Sequence, residues 1–128
     1  MNKTKTYIAL NAVTETTVSG TFYVGGAKRI GILLRRANDN TGVSAFTIKG
    51  SLDAEDTTTP TMTALNMFID NVTNAITQGL TRVNGTSITN ANADKFLWLS
   101  PECIINWLQI TVTETSNGTH SAWIIIEE

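Results

Sequence analysis

The last quarter of the chain, Cys103 to Glu128, constrains the fold more than any other segment. Two long apolar runs, Ile104 to Thr113 and Ser121 to Glu127, flank Ser116-Asn117-Gly118-Thr119. Asn-Gly supplies the positive φ angles that a tight turn needs, so the pattern predicts two strands joined as a C-terminal β-hairpin. In the final run, Trp123 and Ile125 alternate with Ala122, Ile124 and Ile126, and both sets are apolar. A strand apolar on both faces is expected deep in a sheet, paired on both edges.

Upstream, strand signals recur at the spacing of a sandwich or barrel. Tyr7 to Val13 and Thr17 to Val24 come first, then Gly25-Gly26 as punctuation. In Lys28 to Arg36, Ile30, Ile32 and Leu34 alternate with Arg29, Gly31, Leu33 and Arg35. Asn38-Asp39-Asn40-Thr41-Gly42 reads as a turn before Val43 to Leu52, and the two flanking strands read as a second hairpin. Residues 61–89 admit two readings. Met62, Leu65, Ile69, Val72, Ile76 and Leu80 fall at helical spacing behind Thr59-Pro60, but Thr, Asn, Val and Ile are mediocre helix formers, and short alternating runs around Leu65 to Ile69 and Leu80 to Val83 favour strands. Lys95 to Leu99 is a further strand, closed off by Pro101. With 128 residues and no linker or repeat, one core is expected. The expected fold is an all-β, single-domain antiparallel β-sandwich, jelly-roll-like, ending in the hairpin.

Composition narrows function mainly by exclusion. Net charge is -2 and only 16% of residues are charged, so no general field draws the protein to nucleic acid or to anionic membranes. Thr and Asn make up about a quarter of the chain, which suits pleated surfaces joined by elaborate loops. The apolar run Tyr7 to Leu10 is too short for a secretory leader, and no segment approaches the ~20 apolar residues of a membrane span.

Reactive groups are sparse. His120, the single histidine, lies beside the Asn117-Gly118 turn, where exposure is expected. Cys103, the single cysteine, is expected as a buried, inert thiol. Asp53, Glu55 and Asp56 crowd one loop without the glycine and distal glutamate of an EF-hand, and read as solvated. Trp98, Trp107 and Trp123 sit in apolar strands and are expected to fill the core, although an exposed tryptophan would make a sugar platform. Lys28-Arg29 and Arg35-Arg36 place four of the nine basic residues around one strand. They read as edge protection or as partners for an acidic protein surface. No catalytic site, cofactor site or metal site is expected.

Three segments carry a resemblance: Phe46-Thr47-Ile48-Lys49-Gly50-Ser51-Leu52-Asp53 before a Thr-rich loop, Ala93-Asp94-Lys95-Phe96-Leu97-Trp98-Leu99, and Trp107-Leu108-Gln109-Ile110-Thr111-Val112-Thr113 before the terminal hairpin. From Thr21 onward the chain resembles small β-rich virion proteins of tailed bacteriophages, most nearly the capsid decoration, or cement, proteins. The resemblance implies a non-enzymatic structural protein, made in the host cytoplasm, that stabilises the capsid surface of the virion. Its partner would be the major capsid protein shell, and its own state a homo-oligomer, a trimer above all, with no nucleic acid and no membrane involved. No binding residue carries over from the family. From the charge pattern, the candidate partner-binding residues are Asn2, Lys3 and Lys5, in an N-terminal arm spanning residues 1–5, with Lys28, Arg29, Arg35 and Arg36. The alternative is a carbohydrate- or receptor-binding β-sandwich module of a virion or secreted protein, which needs an exposed tryptophan in a groove.

Overall fold

Alternation in the central strand builds the core. Ile30, Ile32 and Leu34 are buried while Arg29 and Arg35, on the other face, are exposed, as a period-2 pattern with one face covered requires. The computed structural model describes residues 3–69, 82–115 and 117–128. Among them the strands are β1 (Thr4–Val13), β2 (Thr17–Val18), β3 (Phe22–Tyr23), β4 (Arg29–Ala37), β5 (Val43–Ser51), β6 (Thr63–Ala64), β7 (Met67–Ile69), β8 (Arg82–Val83), β9 (Gly85–Thr89), β10 (Ala93–Trp98), β11 (Trp107–Glu114) and β12 (Thr119–Glu127). No helix occurs among the described residues.

The strands form two antiparallel sheets. One runs β1-β12-β4-β10-β7-β8; the other runs β2-β11-β5-β6, with β3 also on β11 and β9 also on β5. Between them lie Ile32, Leu34 and Ile124 from the first sheet and Phe46, Ile48, Leu108 and Ile110 from the second, each at most 2% exposed. Each such side chain contributes about 1.5–3 kcal/mol by leaving water. As expected, β12 is paired on both edges, with β1 and β4.

Two expectations fail in the same way. β11 and β12 are joined across Asn117-Gly118, and Gly118 takes a left-handed φ of 123°. Yet β11 pairs with β5 in one sheet, and β12 pairs with β4 in the other. The terminal segment is therefore a corner between sheets rather than a hairpin. The same holds for β4 and β5, which flank the Asn38 to Gly42 turn in different sheets. A turn signal says that the chain reverses; it does not say whether the next strand stays in the plane. Because β4 pairs with β12 and β10 while β5 pairs with β11 and β9, the connections β4 to β5, β9 to β10 and β11 to β12 all cross between the sheets. That nesting of paired strands is jelly-roll-like. For residues 61–89, Thr63–Ala64, Met67–Ile69, Arg82–Val83 and Gly85–Thr89 are strands. The helical reading over Val72, Ile76 and Leu80 lies outside the described residues.

Candidate functional site

The outer face of the first sheet is the best candidate for an interaction site. On β4 the face opposite the core carries Gly31 and Leu33 between Arg29 and Arg35. Antiparallel register sets Phe96, Leu33, Trp123 and Ile8 side by side in one row across β10, β4, β12 and β1. Trp98, Gly31 and Ile125 form the next row, and Phe68 packs beside Trp98 with ring centroids 6.2 Å apart. Phe96 is 50% exposed and Ile8 56%, so the row is open to solvent at both ends.

Gly31 turns this face into a groove. It sits mid-strand between Trp98 and Ile125, and a side chain there would touch nothing closer than the Leu97 carbonyl oxygen at 3.8 Å. The contrast is Gly85, where an added carbon would collide with the Phe46 carbonyl. Packing therefore requires glycine at 85 and leaves position 31 open. The resulting groove, ≈ 500 Å³, is lined mainly by Ile30 to Leu33, Phe96 to Leu99 and Ile125, with Arg29 and Glu127 at one end.

Ion pairs frame the face. Arg35 donates from Nε to Asp94 Oδ1 at 2.7 Å and from Nη2 to Oδ2 at 2.9 Å, and its guanidinium lies 5.0 Å over the Trp123 ring. The Arg35 guanidinium holds the Asp94 carboxyl below the usual carboxylate range. Arg29 pairs with Glu127. Both cations are paired within the molecule, and exposed pairs of this kind add little to stability because solvent screens them.

The remaining candidate residues scatter. Lys28 is exposed at the entrance to β4. Lys5 extends its ammonium over the Tyr7 ring, 4.8 Å from the centroid. Lys3 accepts from the Glu128 amide at 2.9 Å, and Thr4 and Lys5 are paired with Glu127 and Ile126. From Thr4 onward the expected N-terminal arm is thus sheet; Asn2 lies outside the described residues. Arg36, expected among the partner-binding cations, is 1% exposed and unavailable to a partner in this arrangement. Its Nη1 donates to Ser44 Oγ at 3.0 Å, and its Nη2 to the carbonyls of Thr41 and Asn117, the latter at 2.7 Å. One guanidinium so clamps the β4–β5 and β11–β12 corners together.

His120 is part of that clamp, and the expectation of an exposed histidine is wrong. It is 0% exposed and paired in register with Arg36. Its Nδ1 meets Ser44 Oγ at 2.6 Å, and Glu114 Oε1 stands 3.9 Å from Nε2. Burial, with Arg36 adding to it against the opposing pull of Glu114, pushes the imidazole below its ordinary pKa, so the neutral ring accepts the Ser44 hydroxyl proton at Nδ1. Serine, histidine and carboxylate adjoin here, but Ser44 and His120 are both fully enclosed and the hydroxyl is already engaged by Arg36. The cluster braces the corner.

Three further expectations are corrected. Cys103 is exposed, not buried. None of the tryptophans lies between the sheets: Trp98 and Trp123 are half-buried on the outer face just described. Trp107 is half-buried on the second sheet, where its indole donates to the Asp53 carbonyl at 3.1 Å and its ring meets Tyr23 edge-on at 5.2 Å. Alternation sorts residues into two faces, but it cannot say which apolar face is covered. In the loop that Trp107 anchors, Asp53 Oδ2 accepts from the Thr61 amide at 2.7 Å. Among the described residues no three His, Cys, Asp or Glu side chains converge as a metal site. The groove had one legible signal, a glycine in the middle of an otherwise strong strand pattern.

No protein-family model and no curated protein matches the chain. Among solved structures, the crystal structure of the SPBc2 prophage-derived protein YomS is similar. It superposes with a TM-score of 0.69 over 100% of this chain and 96% of that one, at 12% sequence identity. At that identity the likeness is one of fold.

Proposed function

We infer that the chain is a non-enzymatic structural protein of a tailed bacteriophage that seats on the outer surface of the capsid shell and stabilises it as a symmetric homo-oligomer. The carrying observation is the open aromatic and aliphatic face around Gly31, Trp98 and Phe96. A contiguous apolar patch rimmed by polar residues on a soluble domain marks a surface that binds something. Ion pairs already closed at its margin suit a docking face, because they can stay solvated at an interface rim. The fold likeness to a prophage-derived protein and the pattern resemblance of the sequence to decoration proteins support the phage assignment. Binding the assembled shell and not its free subunits would stabilise the shell by mass action.

The test is attachment of the purified protein to decoration-free shells of the encoding phage, followed by heating. Attachment with a raised disruption temperature is expected, and Gly31→Leu, which fills the groove, should abolish both. Absence of attachment would end the decoration reading. One observation favours a second reading: Trp98 lines an open groove, as a sugar- or receptor-binding module would require. Polar groups lie chiefly at the Arg29 and Glu127 end of that groove, where a sugar would need them along its length, so the protein-docking reading stands first.

A further inference from the structure

We propose that the free edge of β1 pairs with the same edge of a second copy of this chain across a two-fold axis, joining two six-stranded sheets into one. Among the described residues β1 ends its sheet and pairs only with β12. The Glu128 amide bonds to the Lys3 carbonyl, so in the register Lys5 with Ile126 and Tyr7 with Ile124 are the bonded pairs that follow. The N–H and C=O groups of Thr4, Thr6 and Ile8 then point away from β12, along the open edge.

That edge is self-complementary. An antiparallel register centred on Thr6 sets Thr6 opposite Thr6 of the second copy and Thr4 opposite its Ile8, in both directions. Every outward N–H of Thr4, Thr6 and Ile8 then meets an outward C=O. Lys5 falls opposite Tyr7 of the second copy, so the two Lys5 cations stay apart. The register ends where it must, because β1 is irregular beyond Ile8, with shifts between Ile8 and Leu10 and between Leu10 and Val13, and a positive φ of 51° at Ala12. Bulges of this kind twist an edge out of pairing.

Two further features single out this edge. The other edges are blunted among the described residues: β2, β6 and β8 are two residues long there, and on β9 Lys95 Nζ caps the Ser87 carbonyl at 2.7 Å. In addition, the apolar row Phe96, Leu33, Trp123 and Ile8 stops at β1 with Ile8 56% exposed. In the pair Ile8 is flanked by Thr4 of the second copy, while the next row, Trp98, Gly31, Ile125 and Thr6, runs on through Thr6 of the second copy into the same row there, so the two outer faces become one surface. A two-fold pair takes the place of the three-fold assembly that the resemblance implies.

The test is the mass of the whole chain in solution by light scattering or sedimentation, from about 1 µM to about 100 µM, the range in which a small interface populates. Wild type should reach twice 13.9 kDa. Thr6→Lys and Thr6→Glu each place like charges directly opposite one another, at an exposed position. Each variant alone should be monomeric with an unchanged melting temperature, and an equimolar mixture should recover the double mass. A wild-type monomer or trimer, a variant that stays dimeric alone, or a mixture that stays monomeric overturns the pairing. No shell is present in this experiment, so its failure is separate from failure of shell attachment.

Discussion

Arg36 shows how a charge can be structural in a protein with few charges. Its guanidinium reaches the buried Ser44 hydroxyl and the part-buried carbonyls of Thr41 and Asn117, so Arg36→Ala removes the donor from all three acceptors. Hydrogen bonds to charged groups contribute about 1.5–3 kcal/mol each, and the expected loss, read by denaturant unfolding, is about 3 kcal/mol or more. His120 gives a pH dependence of known sign. Its folded pKa lies below the unfolded value of about 6.5, so the unfolded chain takes up the proton first. The stability is present above that value and is lost as pH falls from about 6.5 towards the folded pKa. Asp39 and Asp94, held low by Thr41 and Arg35, add their losses only nearer pH 4. Melting temperature should therefore fall between pH 7 and pH 5 in wild type, with a flatter slope in His120→Gln. Equal slopes would show that His120 does not carry the effect.

At the scale of one strand, β4 combines a core face with the face proposed for docking, and Gly31 is where their demands conflict. A mid-strand glycine costs about 0.5–1 kcal/mol against a residue with a side chain, and no neighbour forbids one here. Gly31→Val should leave the fold intact and raise the melting temperature of the free protein by about 2–5 °C, while shell attachment is lost. A variant that is stabilised and still attaches would remove the groove from the binding site.

Across the whole molecule, the β4–β5, β9–β10 and β11–β12 connections between the sheets are laced together. Gly42 and Asn90 join two of them, by Asn90 N to Gly42 O at 2.8 Å and Gly42 N to Asn90 Oδ1 at 2.9 Å, and Arg36 ties in the third. Neither sheet has a covered face without the other. Unfolding should be a single transition, with Trp fluorescence and far-ultraviolet circular dichroism coinciding. Refolding should be slow, on the order of milliseconds to seconds, because the central strands pair with distant partners. Resolved transitions for the two sheets would show that the corner clamps do not couple them.

The all-β class, the one-domain size, the central position of β12 and the faces of β4 were legible in the sequence, because a period of two is a local property that each strand carries by itself. What the local pattern could not carry was the partner. Asn117-Gly118 marks a reversal whether the next strand joins the same sheet or crosses to the other, and only the pairing of β11 with β5 and of β12 with β4 decides it. His120 and Arg36 read as surface residues because they adjoin turns; the crossing of the sheets at those turns encloses them. Trp98 and Trp123 read as core because tryptophan is apolar, yet two facing sheets can cover only one side of each strand. The residues of the candidate groove come from β4, β10 and β12, far apart in the chain, and tertiary register alone sets Trp98, Gly31 and Ile125 side by side.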